Sequence, residues 1–463
     1  MRIPDPLSVD ALGPHGPYRA RSRQTIHDVT GAIIGELSLV PPVYIARAIS
    51  DLRSTPQMRR SERFDILETA SSLFADGEVA GQSAYEYQHV VSRVSGLGIR
   101  EVGAATARIA DAARNAYAHA QFGRPIGAVD DEYDERCERG TGFWGRKGDV
   151  FSVLAAGNHP AVHTGWLQAL ALGYRVAVRP SRREPFTPSR LVQALLQAGM
   201  PKGQVALLPT GYGGADEIIR LTDLAMVYGG HNVADKYSGP NVLIRGPGRA
   251  KLLISRPHEW KDLLDVMVES VVKGGGVGCT NATCILVEGD RDEALYVACA
   301  LAERLRSFRP YIPEDPQSVL PVRPIAEARS LEAALRESAE AVTTILGADG
   351  IVADIGDGSA ALLPAVFLLD NAGQAQSVAI EMPFPCVWIG PWNRADGIAP
   401  LRDSVHLTLI TDDQDLVEAS LNDPSIRSTF VGKVPTTFAD PSVPHEGFVS
   451  EFLMQPKGYV RRW

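Results

Sequence analysis

Between residues 150 and 230 the apolar positions come in short unbroken runs, separated by stretches with helical spacing. "DVFSVLAAG", "YRVAVRP", "QVALLP" and "DLAMVYGG" read as strands. Between them, "PAVHTGWLQALALG" reads as a helix opened by Pro160 and stopped by Gly173, and "TPSRLVQALLQAG" and "ADEIIRL" as two more. Strands without polar alternation are buried on both faces, so the pattern predicts a parallel sheet covered by helices. Right-handed crossovers make it an open, doubly wound α/β unit.

A second alternating set begins at the helix "EWKDLLDVMVESVVKGG" and runs to about residue 440. Its predicted strands are "TCILVEG", "AVFLLD", "CVWIG", "VHLTLIT" and "STFVG", with Cys279 opening the first of them. Upstream, residues 1–24 are rich in Pro and Arg without periodicity and are expected to be irregular. "HDVTGAIIGELSLV" reads as a hairpin. "SERFDILETASSLF" reads as a helix capped by Ser61, with Phe64, Leu67, Ala70 and Phe74 on one face. "DDEYDERCERGTGFWGRKGD" fits neither unit, and the C-terminal "PHEGFVSEFLMQPKGYVRRW" reads as a strand with a basic tip. The expected division is residues 1–120 and 150–257 for one unit, 258–440 for the second, and 121–149 with 441–463 as an arm.

Length suggests two or three structural units, since 463 residues exceed what one core serves. A formal net charge of −9 argues against a general nucleic-acid partner. No apolar run reaches the roughly 18 residues of a membrane span, and no basic-then-apolar leader opens the chain. A soluble, cytoplasmic protein without a membrane partner is expected. Five cysteines, at 137, 279, 284, 299 and 386, form no CxxC pair and no zinc-like spacing, so neither a disulfide framework nor a metal is expected. Cys284, Cys299 and Cys386 read as small buried hydrophobes.

Cys279 stands apart, because glycines at 274–276 and 278 precede it in "VVKGGGVGCTNATC". Taken alone it is either filler in a tight turn or a nucleophile presented by one. Glycines let backbone approach a substrate closely, and backbone N–H groups favour a thiolate.

The order of motifs resembles the aldehyde dehydrogenase superfamily over nearly the whole chain. It runs from "DVTGAIIGEL" through "AAGNHPAVHTGWLQALALGYRVAVRPSRREPFTP", "VYGGH", "GPGRAK" and "GGGVGCT" to "EMPFPCV". The resemblance implies two α/β domains, for cofactor and catalysis, with a β-arm that joins subunits into a homodimer or homotetramer. It implies Cys279 as the catalytic cysteine and Asn158 as a donor to the oxyanion. Glu381 would hold the nicotinamide ribose, Gly229 and Gly230 would lie beside the cofactor, and Arg179 and Ser181 would stand near the adenosine ribose.

Two departures from the family pattern carry more information. Where hydrolytic members have a glutamate that activates water, "VLIRGPGRAK" puts Arg245, which stays protonated and is no base. An acyl–cysteine would then exchange with a thiol, from coenzyme A or the arm of an acyl carrier protein. Where the family has a glutamate on the adenosine ribose, "RPSRRE" puts Arg182 with Arg183 beside it, which favours NADP(H) over NAD(H). The expected activity is NADPH-dependent reduction of an acyl thioester to an aldehyde, or the reverse. Its rivals are a hydrolytic aldehyde dehydrogenase with a recruited base, and an inactive scaffold. Glu269 is expected to face solvent or pair with Lys273 rather than serve as that base, and His159, His231 and His445 are expected to stay outside the chemistry.

Overall fold

The computed structural model describes residues 7–255 and 260–462. Its first sheet has five parallel strands in the order Val242–Arg245, Leu224–Tyr228, Val150–Leu154, Arg175–Arg179 and Val205–Leu207. Side chains alternate across each strand, so two cores form. Phe151 and Val153 enter one with Trp166 and Leu170, while Val150 and Leu154 enter the other with Ala177 and Ile218. The chain steps outward from Val150–Leu154 through two strands, then crosses back to add Leu224–Tyr228 on the other side. That reversal puts the topological switch point at the carboxyl ends of Val150–Leu154 and Leu224–Tyr228, where open α/β sheets take ligands.

The start of the chain corrects the expected irregular lead-in. Leu7–Val9 runs parallel to Ile33–Ser38, while Ala11–Gly13 and Gly16–Tyr18 extend the first sheet beyond Val205–Leu207. These strands are three residues each and show no period in sequence; the neighbouring sheet edge holds them, with Val9 and Ala11 buried. The hairpin forms between Arg23–His27 and Ile33–Ser38. Helix Arg60–Asp76 buries Leu67, Ala70 and Phe74, but begins one residue before Ser61, where Glu62 accepts the Arg59 N–H instead. The helix read from Pro160 to Gly173 breaks into a 3-10 turn, Pro160–His163, and a short helix, Leu167–Ala171. Thr164 and Gly165 are weak helix formers at the break, and Trp166 is buried there with its indole N–H on His163 Nδ1.

The second sheet runs Thr343–Leu346, Ala365–Leu368, Cys386–Trp392, Ala282–Glu288, Ala250–Ile254, Ser404–Ile410 and Ile426–Val431. All its pairs are parallel except that of the first, edge strand. Two expectations change here. Ala250–Ile254 belongs to this sheet, so the chain leaves the first sheet between Arg245 and Ala250; the expected boundary between 257 and 258 lies outside the described residues. Cys279 does not open a strand, since Ala282 does, and it sits in the turn before it. The helix read from Glu259, itself outside the described residues, is a 3-10 turn Trp260–Leu263 followed by Leu264–Val272.

Thr141–Arg146 pairs with Ala128–Val129 on one side and Met454–Tyr459 on the other, so segments of 121–149 and 441–463 share a small sheet. Among the described residues no helix is long and apolar enough to cross a membrane.

Candidate active site

Local backbone chemistry builds the turn that carries Cys279. Helix Leu264–Val272 ends at Lys273, and Gly274, Gly275 and Gly276 follow with φ of +67°, +74° and +67°, a left-handed run closed to other residues. Asn281 then ties the turn together. Its amide donates to the carbonyls of Ser270, Val271 and Lys273 at 3.2, 3.3 and 2.9 Å, and its Oδ1 accepts the Gly278 N–H at 2.9 Å. The helix carbonyls left open at its C-terminus are thereby satisfied by a residue the sequence reading passed over. Behind the turn, a Cβ at Gly248 would stand 1.5 Å from the Cys279 carbonyl oxygen, so two backbones touch where no side chain fits.

Cys279 is partly exposed, and its Sγ lies 3.4 Å from His445 Nε2. His445 Nδ1 faces Glu446 Oε2 at 3.6 Å, an ion-pair separation, and Arg245 Nη1 reaches the same oxygen at 3.2 Å. Ser428 Oγ donates to the carbonyls of Pro444 and His445, which pins the loop carrying this pair. Burial works against the charge on Glu446, but His445 and Arg245 outweigh it and hold the carboxyl below the usual range. Burial also opposes a charged His445; the Cys279 sulfur and Glu446 reverse this and raise it to about 9. Behind it His406, whose ring centroid is 4.9 Å from that of His445, is pushed down to about 4 by burial and by its neighbour's charge.

His445, expected to stay outside the chemistry, is brought against the Cys279 sulfur from 166 positions away. The available signal was a His–Glu pair between Pro444 and Gly447, in a loop with no period of its own. His159 instead pairs with Glu101 at 2.9 Å, and Glu269 with Lys273 at 2.8 Å as expected. The side chain of His231 lies outside the described residues.

Asn158 ends the turn after Val150–Leu154 and donates to the Val277 carbonyl at 3.0 Å, two residues before Cys279. The amide keeps a second hydrogen, and its Oδ1 is buried without a partner among the described residues. Glu381 spends Oε2 on the backbone N–H groups of Gly248 and Arg249, at 2.7 and 3.3 Å, and burial raises its pKa against those bonds.

The remaining candidates gather at the carboxyl edge of the first sheet. Arg179 ends its strand with Nη2 on the Thr210 carbonyl at 3.3 Å, while its Nε is buried without a partner among the described residues. Burial, with Arg182 nearby, lowers the Arg179 pKa. The Ser181 hydroxyl accepts the Arg183 N–H, and a Cβ at Gly157 would meet that hydroxyl at 2.3 Å. Arg182 stacks on the Tyr212 ring, 4.8 Å from its centroid. Arg183 turns away to Glu327 at 2.9 Å, so the two arginines are not equivalent. A Cβ at Gly229 would strike Val233, whereas Gly230 faces open space. An orphaned guanidinium N–H, a free stacked arginine and glycines at the switch point fit a phosphate-bearing dinucleotide.

The other cysteines separate by burial. Cys284 is pushed up to about 12 by burial and Cys386 rises for the same reason, while Cys137 is buried too. Cys299, expected inside, is exposed on helix Arg291–Leu305, because the helix buries Ala298, Leu301 and Ala302 instead. No group of His, Cys, Asp and Glu suited to a metal occurs among the described residues.

A model of the aldehyde dehydrogenase family matches residues 21–389. The aminoacetaldehyde dehydrogenase of Pseudomonas aeruginosa is 27% identical over 187 residues, a match that spans 37% of this chain and 37% of that protein. Two solved structures share the fold nearly end to end. A mutant of 1-pyrroline-5-carboxylate dehydrogenase from Thermus thermophilus has a TM-score of 0.80 at 14% identity, covering 99% of this chain and 93% of its own. A mutant of indole-3-acetaldehyde dehydrogenase from P. syringae, in complex with NAD+, has a TM-score of 0.82 at 16% identity, covering 97% and 95%. With that match running from the first hairpin to the strand beyond Glu381, the chain belongs to the aldehyde dehydrogenase family, oxidoreductases that act on aldehydes with NAD(P).

Proposed function

We propose that the protein reduces an acyl thioester to an aldehyde with NADPH, or runs the reverse acylating oxidation, through an acyl group carried on Cys279. The reading rests chiefly on the Arg245–Glu446 pair beside that cysteine. A carboxylate held at 3.2 Å by a guanidinium and kept below its usual range is a poor base for water, and the guanidinium is none at all. The acyl–cysteine is then released by a thiol, from coenzyme A or the arm of an acyl carrier protein.

The nicotinamide, when bound, supplies or accepts hydride at the acyl carbon. Asn158 and the Cys279 backbone N–H steady the oxygen as it gains charge. Arg179, Ser181, Gly229 and Gly230 line the edge that takes the dinucleotide, and Glu381 keeps Oε1 for a ribose hydroxyl. Arg182, with no carboxylate partner among the described residues, takes the 2′-phosphate, whereas Arg183 is engaged by Glu327. The sheet joining 141–146 to 454–459 presents an open edge suited to a second copy, and scattered free cysteines suit the reducing cytoplasm.

In the decisive assay the purified protein receives NADP+ and an aldehyde panel, with and without coenzyme A. The expected result is one turnover without thiol and continuous turnover with it, together with NADPH oxidation by acyl-CoAs. Steady acid formation without thiol overturns the reading. It would support a second one, favoured by His445 at the sulfur, in which that imidazole activates water for ordinary aldehyde oxidation. Arg182→Ala is expected to weaken NADPH binding by about 10-fold or more while leaving NADH binding unchanged, since one charge-assisted contact is worth about 1.5–3 kcal/mol. Fluorescence titration of both nucleotides measures it, and an equal loss for both removes the 2′-phosphate assignment.

A further inference from the structure

We infer that His445 is the acid–base residue of the Cys279 site, oriented by Glu446 and Arg245, and that it carries the proton in thiol exchange. It has this role in exchange only if Cys279 carries an acyl group as proposed above. The four groups form one line: Cys279 Sγ to His445 Nε2 at 3.4 Å, His445 Nδ1 to Glu446 Oε2 at 3.6 Å, and that oxygen to Arg245 Nη1 at 3.2 Å. Four separate parts of the chain bring their groups here. Cys279 comes from the glycine turn, Arg245 from the end of a first-sheet strand, His445 and Glu446 from the loop held by Ser428, and His406 from inside the second sheet.

His406 and Tyr228 also stand against this line, while Glu381 lies behind the Cys279 turn on the N–H groups of Gly248 and Arg249. His406 gives Nδ1 to the Thr436 carbonyl at 2.6 Å and, pushed down by burial, stays neutral. Tyr228, raised to about 12 by burial, keeps its hydroxyl on the Val162 carbonyl. Arg245 and Glu446 pair at 3.2 Å, and Glu446 also supports the charge on His445. The proton of the line therefore moves between the Cys279 sulfur and His445.

The exchange balances on these atoms. Cys279 S–H gives its proton to His445 Nε2, and the thiolate attacks the thioester carbonyl carbon. The new carbon–sulfur bond forms, the old one breaks with its electron pair on the departing sulfur, and that sulfur takes the proton from His445. Once the Cys279 sulfur is acylated it no longer supports a charge on His445 and only Glu446 does, and the neutral imidazole is the form that accepts a proton. An incoming thiol, near pKa 8.5, surrenders its proton to imidazole far more readily than water, which is a much weaker acid. As that thiol attacks the acyl carbon, its proton goes to Nε2 and Cys279 leaves as thiolate, restoring the starting pair. The arrangement explains how a site with an arginine in place of the hydrolytic base can still move protons.

The test measures iodoacetamide alkylation of Cys279 from pH 5.5 to 9.5, read on its own peptide by mass spectrometry, in wild type, His445→Asn and Glu446→Gln. Wild type is expected to stay reactive at pH 6, with His445→Asn at least about 10-fold slower there and equal to wild type at pH 9.5, where thiolate forms unaided. Glu446→Gln is expected to fall between them. A second measurement follows acyl transfer from acyl-CoA to free pantetheine without nucleotide, expected to slow by roughly 10²-fold or more in His445→Asn. Coincident alkylation profiles for wild type and His445→Asn overturn the inference, even if the thioester reading holds. A His445-dependent alkylation profile with no transfer from any acyl-CoA sustains the proton pair and overturns the thioester reading instead.

Discussion

Cys279→Ala is expected to abolish turnover in both directions, by about 10⁵-fold or more, while leaving NADPH binding and the fold intact. The reason is architectural. The turn is held by the left-handed glycines and by Asn281, whose four bonds all go to backbone, so the sulfur contributes nothing to its shape. Sγ meets His445, and the residues proposed for the dinucleotide stand on a different sheet edge. The measurements are steady-state rates with acyl-CoA and with aldehyde, a nucleotide titration and a thermal melt. Retention of more than about 1% of the rate would remove the acyl–cysteine from the mechanism, since a variant without its nucleophile keeps only binding and oxyanion contributions. A large fall in melting temperature would show instead that the cysteine is a packing residue.

Gly248→Ala is expected to disable the same site without touching any reactive group. The glycine lies in the link between the sheets, where its N–H meets Glu381 at 2.7 Å and its carbonyl accepts from Val405 at 2.7 Å. The link cannot slide away without breaking one of these, and an added methyl would stand 1.5 Å from the Cys279 carbonyl oxygen. Either the Cys279 turn or the link must move by more than an ångström. A displacement of that size costs activity by about 10²-fold or more, and the strain lowers stability by about 1–3 kcal/mol. Gly246→Ala is the control, two residues away on the same link, where a Cβ meets nothing within 4 Å. The rate of Cys279 alkylation, together with a thermal melt, reads both. Full activity in Gly248→Ala would show that this backbone contact does not present Cys279.

Much of this molecule is legible in one dimension. Continuous apolar runs at 150–154, 175–179 and 386–392 announce strands buried on both faces, because such strands have no wet side on which to place polar residues. Weaker signals mislead where a neighbour decides. Ala11–Gly13 carries no period and is a strand because Gly16–Tyr18 pairs with it and Val205–Leu207 offers the pair an edge. Ala250–Ile254 follows a Gly–Pro–Gly sequence and looks like the end of one sheet, yet two strands of the other flank it. Cys299 reads as buried by composition, but the helix turns its neighbours inward.

The alternation of strand and helix, the glycine run before Cys279, and Arg245 where a base was expected can all be read along the chain. Each of these is written in residues close together along the chain, where spacing and backbone preference act directly. Tertiary structure alone decided what Arg245 and Cys279 would meet. His445 and Glu446 stand in a loop with no period to read, and Asn281 looks like any turn residue until the helix carbonyls converge on its amide. Strand order brings the carboxyl ends of distant segments to one edge, and only there does a histidine 166 positions away become the partner of the sulfur.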